Sequence, residues 1–313
     1  MSSERGRAKG LVLWAIVAMV LLTAAGFASG FIIGQMTANS SAGPTVIDDY
    51  GRTIKLSGTP KRIVSVAPTP TEILFSVGAG DLVVGVDDYS DYPAEATLLP
   101  RVGAYPPNVE SILGLKPDLI ISSDLVPLAQ LESLEEKGIP YIILAARDLQ
   151  DVYNDVKLVG LITGHIEDAN SLVSSLEHRV SAITAKTMDP NLTRPSVYLE
   201  YYPLWTDGPG SFGDDLITLA GGQNIASNTS GEYVPVTNEF VIAQDPQMII
   251  YTVGANYNET TPETIAARPA WSGVSAVIDG KMYGVDDNLI SRYGPRVVDG
   301  LEVLAEIIHP ELF

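Results

Sequence analysis

The residues in this sequence whose types and spacing could do chemistry are a set of aromatics between its apolar runs and a repeated pair of acids. Aromatic side chains are only 7% of 313 residues, yet Tyr89, Tyr92, Tyr105, Trp205, Tyr233 and Tyr293 fall in segments that the pattern makes loops after strands. Core packing would put such rings inside strands or on helix faces, whereas loops at strand C-terminal ends are where α/β folds hold ligands. Flat rings suit a bulky, partly planar ligand. Loop tyrosines that touch only their own half of the protein are the alternative. Glu110 and Glu239 form a second constellation: each stands in the first turn of an expected helix, and each is followed seven residues later by a proline and a strand. Tyr105 precedes Glu110 by five residues and Tyr233 precedes Glu239 by six. The helix dipole alone favours one such carboxylate. Two of them, one per half, are also what docking onto a two-fold partner requires.

Most other chemistries lack their residues. The chain has no cysteine, which removes disulfides, thiolate nucleophiles, Cys-ligated zinc and iron–sulfur clusters. It also removes the lipidated cysteine that anchors many secreted bacterial binding proteins. His165, His178 and His309 are scattered over expected helices or their ends and read as surface side chains, not metal ligands. GPGSFG places Gly208, Gly210 and Gly213 in a G-x-G-x-x-G spacing, but residues 203–207 separate it from the preceding strand. It therefore reads as a cleft loop and not as a dinucleotide turn. No nucleophile elbow, Walker loop or H-E-x-x-H occurs. The 38 acids offer many carboxylate pairs to a hydrolase, and nothing singles one out. No catalytic residue, metal site or cofactor is expected.

Charge and hydropathy divide the chain. Lys and Arg number 19 against 38 Asp and Glu, a net charge of −19, and without a basic stripe a nucleic-acid partner is excluded. Residues 10–36 are uncharged and mostly apolar. As a helix they would reach about 40 Å, against a hydrocarbon core of roughly 30 Å. Arg5, Arg7 and Lys9 precede them against Glu4 alone, so the positive-inside rule keeps residues 1–9 cytoplasmic and exports the rest. The segment reads as a single-pass membrane anchor, with a cleaved signal segment as the alternative. Without residues 1–36 the remainder carries −21. Residues 37–44 are small and polar, a tether. Four sequons, at Asn39, Asn191, Asn228 and Asn258, fit surface glycosylation and equally fit chance.

From residue 45 onward, short apolar runs alternate with helical segments, which implies βαβ units and parallel sheets. Strands are expected at 62–66, 82–86, 119–122 and 141–144, and again at 197–201, 248–251 and 281–285. Helices are expected at 71–77, 109–115, 128–137, 214–220, 239–244 and 295–308. The stretch 149–188 has helical periodicity, with Gly160 and Gly164 as breaks, leaving a helix over 167–188 about 30 Å long that can bridge two lobes. An internal repeat supports two lobes: NVESILGLKPDLIISS at 108–123 matches NEFVIAQDPQMIIYT at 238–252, and the interval from Glu72 to Gly78 equals that from Asp215 to Gly221. The expectation is an α/β protein of two similar Rossmann-like lobes, 45–166 and 189–313, on a rigid interdomain helix, with the ligand between them.

These features together resemble the periplasmic-binding-protein family for cobalamin, ferric siderophores and haem, the substrate-binding components of ABC importers. The motifs that carry the resemblance are PKRIVSVAPTPTEILFSVGAGDLVVGVDDYSDYP at 60–93, VGAYPPNVESILGLKPDLII at 102–121 and YGPRVVDGLEVLAEIIHPE at 293–311. DYSDYP and VGAY look most like the cobalamin binders. The resemblance implies a binding protein, not an enzyme, that captures cobalamin or a ferric siderophore and delivers it to an ABC permease dimer with its ATPase subunits. It implies Tyr89 and Tyr105 against the corrin, Trp205 and Tyr233 from the second lobe, and Pro68, Thr69 and Asn288 as further ligand residues. Glu110 and Glu239 become the acids that pair with permease arginines. One departure stands: cobalamin binders can carry a Trp before the last helix, where this chain has Asn288, Leu289 and Ile290. Siderophore and haem therefore stay open, with Arg101, Arg292 and Arg296 available to an anionic complex, or Arg296 to the packing of the last helix.

Overall fold

The computed structural model of the protein describes residues 43–254 and 260–313. The expected tail, anchor and nearly all of the tether lie outside these residues, as do Asn39 and Asn258. Asn191 and Asn228 are exposed. Among the described residues no helix is long and apolar enough to cross a membrane.

A small antiparallel ribbon, β1 (Thr45–Ile47) with β2 (Thr53–Lys55), comes first. Then β3 (Ile63–Ser65), α1 (Pro68–Ser76), β4 (Val83–Val86), α2 (Val109–Gly114), β5 (Leu119–Ser123), α3 (Leu128–Glu135) and β6 (Tyr141–Leu144) build the first lobe. Two long helices follow, α4 (Leu149–Thr163) and α5 (Ile166–Thr187). The second lobe begins with β7 (Ser196–Glu200), β8 (Trp205–Asp207), α6 (Phe212–Leu219), β9 (Gln223–Asn224), β10 (Tyr233–Pro235), α7 (Asn238–Gln244) and β11 (Met248–Val253). It ends with α8 (Pro262–Ala266), α9 (Ser275–Ile278), β12 (Met282–Asp286), α10 (Asp287–Ile290) and α11 (Val297–Ile308).

The two main sheets run β4-β3-β5-β6 and β9-β7-β11-β12, each all parallel, so the strands of each lobe take the same order, second, first, third, fourth. The repeat extends to the backbone. α2 and α7 each end on a left-handed residue ahead of a proline, Lys116 at φ 49° and Asp245 at φ 45°. The next polar side chain ties each loop to its sheet: Asp118 accepts from the Lys61 and Arg62 amides, and Gln247 Oε1 accepts from the Ser196 amide. Gly78 and Gly221 follow α1 and α6 at φ 81° and 87°.

Strand residues alternate between two apolar layers, as a sheet covered on both faces requires. Leu119 and Ile121 face the same core as Ile142 and Leu144, while Ile120, Tyr141 and Ile143 face the outer one. In the second lobe Val197, Leu199 and Ile250 join that same inner core, and Tyr198, Ile249 and Trp271 form an outer layer. The inner core is continuous from α1 through α4 and α5 to α6 and α11, so buried packing joins the lobes inside one compact unit, Ala42–Phe313. At 22 residues α5 is about 33 Å long. Arg179 on α5 pairs with Asp299 and Glu302 on α11, fixing the helix to the second lobe.

Four expectations need correction. Gly160 does not break the helix: α4 runs through it, and only Gly164, at φ 83°, ends it. A Cβ on Gly160 would stand 2.3 Å from that of Ala169, so the missing side chain lets α4 and α5 approach. His309 is buried and faces the Gly221 carbonyl through Nε2 at 3.1 Å. Trp205 and Tyr233 are strand residues of the β8–β10 ribbon rather than loop residues. α1 starts three residues early because Pro68 fits the first helical turn, where no amide donor is needed.

Candidate functional site

Loops at the C-terminal ends of both sheets meet between the lobes. On the first lobe, Tyr89 stacks on Tyr105 with ring centres 5.5 Å apart and planes 22° apart. Tyr89 is 45% exposed, whereas Tyr105 lies behind it with its hydroxyl buried beside Ser123. Burial pushes the Tyr105 phenol far above its usual range, and the nearby Asp87 adds to this. The loop that presents Tyr89 is held from beneath by a buried chain of hydroxyls. Thr71 Oγ1 donates to Ser65 Oγ at 2.7 Å or the Ala67 carbonyl at 3.0 Å and is bonded to Ser90 Oγ at 2.8 Å, and Ser90 bonds Asp87. Asp87 Oδ2 accepts from the Tyr89 amide at 3.0 Å. Desolvation raises the Asp87 carboxyl.

On the second lobe the wall is the β8–β10 ribbon with Tyr293. Tyr233 pairs with Asp207 in the ribbon, and its ring meets that of Tyr201 edge-on at 6.2 Å. The hydroxyls of Tyr233 and Tyr293 are bonded to each other, and Tyr293 stacks on Phe212 at 4.2 Å. Trp205 is 45% exposed and Tyr233 52%, so both offer ring surface to solvent. Behind this wall lies a buried carboxyl. Neither oxygen of Asp207 has a hydrogen-bond partner of good geometry, and desolvation pushes it up to about 6. A Cβ on Gly213 would stand 1.9 Å from Asp207 Oδ2 and 2.8 Å from the Tyr201 hydroxyl, so this glycine makes the space they occupy. The GPGSFG loop thus closes back on the ribbon: Gly208 donates to the Glu232 carbonyl at 2.7 Å, and Ser211 caps α6.

The two walls are tied by charge. Arg296 and Arg292, just before α11, reach across to Glu72 on α1, and Arg292 also bonds Asp91 at 2.6 Å and the Tyr89 carbonyl at 3.3 Å. Arg296 lies over the Tyr92 ring at 3.9 Å. Arg101 Nη1 donates to the carbonyls of Asp87 and Ser90. All three arginines considered for an anionic ligand therefore have protein partners.

Pro68 and Thr69 form the half-buried first turn of α1, where Thr69 abuts Gly294 of the second lobe. Asn288 donates from Nδ2 to Asp286 at 2.9 Å and belongs to the cap of α10. Glu110 and Glu239 are exposed, each the second residue of its helix, after the capping side chains of Asn108 and Thr237. Backbone and Thr237 hydrogen bonds hold the Glu239 carboxyl below its usual range. Sequence reasoning missed Ser123 and Asp124 at the end of β5, and the buried Asp207. The LIISS–D run marks a strand end facing the cleft and is the one signal that could have found the first two.

Comparison with known proteins adds the relatives. A family model described as periplasmic binding protein matches residues 63–289. An uncharacterized ABC transporter substrate-binding lipoprotein of Bacillus subtilis is 30% identical, over 96% of this chain and 98% of its own. A cobalamin-binding protein of Halobacterium salinarum is 28% identical over 98% of this chain and 85% of its own. Among solved structures, a periplasmic heme-binding protein from Roseiflexus sp. superposes with a TM-score of 0.73 at 26% identity, covering 81% of this chain and 99% of its own. The periplasmic vitamin B12 binding protein of Vibrio cholerae gives 0.69 at 25% identity, covering 80% and 98%.

Proposed function

The chain belongs to the periplasmic binding protein family, the substrate-binding components of ABC importers, and from that premise we propose that it captures cobalamin or a related corrinoid between its lobes, outside the cytoplasm, and delivers it to a permease dimer with its ATPase subunits. What supports this reading is aromatic ring surface on both lobes, Tyr89 on the first and Trp205, Tyr233 and Tyr293 on the second, with the arginines between the lobes already paired. Large planar ligands bind between such rings. An anionic catecholate complex needs free guanidinium groups, and Arg292 and Arg296 are committed to Glu72 and Asp91. The ligand residues of this reading are Tyr89, Tyr105, Trp205 and Tyr233, with Pro68, Thr69 and Asn288 at the margin.

Delivery would use Glu110 and Glu239, which stand exposed at equivalent positions of the two lobes and match a two-fold partner with basic pockets. With no cysteine for lipid attachment, the apolar segment 10–36 would hold the protein at the membrane. The lobes share a continuous core and a buried ion-pair cluster, which supports a largely preformed cleft with small lobe motion. Titration of the purified protein with cobalamin, a ferric siderophore and haem, followed by Trp and Tyr fluorescence, tests the reading. Saturable 1:1 binding of cobalamin is expected. Preference for either of the other ligands overturns it, and turnover of a ligand would point to an enzyme.

A further inference from the structure

Resting on that reading of the cleft, we infer that the buried Arg268–Glu200 pair positions the Trp205 ring for the ligand and couples it to the first turn of α7, which carries Glu239. Trp205 ends a tight turn. Its amide donates to the Tyr202 carbonyl at 2.8 Å, which makes Pro203 and Leu204 the central residues of that turn. Leu204 lies in the left-handed region at φ 63°, a position that turns ordinarily give to glycine or asparagine. A leucine there is uncommon, and it persists where neighbouring groups hold it.

Glu200 holds it. Its Oε2 accepts from the Leu204 amide at 3.1 Å, and the residue is only 1% exposed. Arg268, just past α8, sets the plane of that carboxylate with a two-pronged contact, Nη1 to Oε2 at 2.7 Å and Nη2 to Oε1 at 2.6 Å. The Tyr198 hydroxyl donates to the same Oε2 at 2.9 Å. On its other side the turn is tied to its strands, with the Leu204 carbonyl accepting from the Val236 amide and the Trp205 carbonyl from the Tyr201 amide. A shift of Glu200 therefore passes to the turn and to the ring it presents.

The same arginine reaches towards α7. Its guanidinium lies over the ring of Trp271 at 4.6 Å, and Trp271, fully buried, donates from Nε1 to Asn238 Oδ1 at 2.9 Å. Asn238 is the first residue of α7 and Glu239 the second. An unbroken series of contacts thus runs from the turn of the exposed acid to the exposed ring, through Asn238, Trp271, Arg268, Glu200 and the Leu204 amide. A partner that pulls on the Glu239 turn displaces Asn238, and the packed series carries that displacement to Trp205.

The test uses the full chain in detergent with 5-fluorotryptophan in place of tryptophan. It reads the fluorine resonance of Trp205, assigned by its loss in Trp205→Phe, and the affinity for cyanocobalamin. Arg268→Lys keeps a cation beside Glu200 but loses the two-pronged contact. Asn238→Ala cuts the series at its far end while Thr237 still caps α7, and its half-buried site keeps the test decisive if Arg268→Lys does not fold. Both should move the Trp205 resonance without ligand, whereas Arg179→Lys, which loosens the pairing of α5 with α11, should leave it in place. Arg268→Lys should weaken cyanocobalamin binding about three- to tenfold in the wild type and less than about twofold in a Trp205→Ala background, because residues that act through one another are not additive. A general structural role would cost the same affinity in both backgrounds, and that result overturns the positioning. A Trp205 resonance unmoved by Arg268→Lys overturns it too, and one unmoved by Asn238→Ala overturns the link to α7. A wild type with no affinity for cyanocobalamin overturns the functional reading instead, and the Trp205 resonance, which needs no ligand, still decides the positioning.

Discussion

Arg296 donates two hydrogen bonds to Glu72 across the lobe boundary, from Nε at 2.8 Å and from Nη2 at 2.5 Å, joining residues 224 positions apart in the chain. Arg292 shares the same carboxylate at 3.1 Å, and only 1% of the Glu72 side chain is exposed. Removing the acid would leave two guanidinium groups facing each other in a buried site. Breaking such a cluster costs about 3–5 kcal/mol. At roughly 2–4 °C per kcal/mol for a domain of this size, Glu72→Gln should lower the melting temperature by about 10 °C. It should also weaken ligand binding, because Arg292 supports the Tyr89 carbonyl. A variant that melts within 2 °C of the wild type would show that the cluster does not tie the lobes.

The buried Asp207 gives stability a pH dependence of definite sign. Desolvation raises its carboxyl to about 6 from an ordinary 3.8, so the native chain holds this proton more tightly than the unfolded one. The associated stabilisation is complete below about 3.8 and is lost as pH rises through about 6. At 1.36 kcal/mol per pH unit the loss is on the order of 3 kcal/mol. Asp207→Asn cannot ionise, so urea unfolding should find it more stable than the wild type at pH 7.5, with the difference vanishing near pH 4. Asp155, buried with both oxygens unpartnered and raised by desolvation and by Asp49, acts in the same direction and is common to both proteins, so it cancels in the comparison. A difference that is constant across this range would contradict the burial of the Asp207 charge.

The two-lobe plan was legible because it rests on local patterns. The repeated helix, proline and strand around Pro117 and Pro246 predicts the equivalent strands β5 and β11, and the structure gives both sheets the same strand order. What stayed hidden depends on partners distant in sequence. The three-residue strands β8 and β10 have no periodicity of their own, and form where Gly208 comes so close to Gly231 that a Cβ would lie 2.1 Å from its carbonyl oxygen. Gly160 gives the same local signal whether it ends a helix or admits a neighbour, and Ala169 decides. Glu72 and Asp215 match in spacing, yet one is buried under two arginines and the other is exposed, because only the first faces Arg292 and Arg296.

Trp205 should report ligand binding. The chain has three tryptophans, Trp14 in the apolar segment, Trp205, exposed on the β8–β10 ribbon and proposed to face the ligand, and Trp271, which is fully buried and donates from Nε1 to Asn238 at 2.9 Å. Quenching by a bound coloured macrocycle should survive Trp271→Phe and fall sharply in Trp205→Phe. Trp205→Ala and Tyr89→Ala, each removing an exposed ring, should weaken binding about 10- to 100-fold, the range of an aromatic anchor worth about 1–3 kcal/mol. Titrations in which both alanine variants keep wild-type affinity would move the ligand out of this cleft.

Docking should separate cleanly from capture. Glu110 and Glu239 are exposed on α2 and α7, which precede the equivalent strands β5 and β11. Their helices are already capped by Asn108, which accepts from the Ser111 amide at 2.9 Å, and by Thr237, which accepts from the Phe240 amide at 3.2 Å. Both helices therefore keep their main caps without the two acids, although Glu239 adds hydrogen bonds to the backbone and Thr237, and reversal to Lys should cost stability on the order of the 0.3–1 kcal/mol typical of a charge at a helix N-terminus. Against a basic permease surface the same reversal turns attraction into repulsion at both contacts. Glu110→Lys with Glu239→Lys should abolish transport in reconstituted vesicles, leave ligand affinity within twofold of wild type, and restore part of the transport when paired with a permease carrying the opposite reversals. Each single variant should retain intermediate transport, since one lobe still docks. Loss of ligand affinity in the double variant would instead place these acids in the binding cleft, and unimpaired transport would leave capping as their whole role.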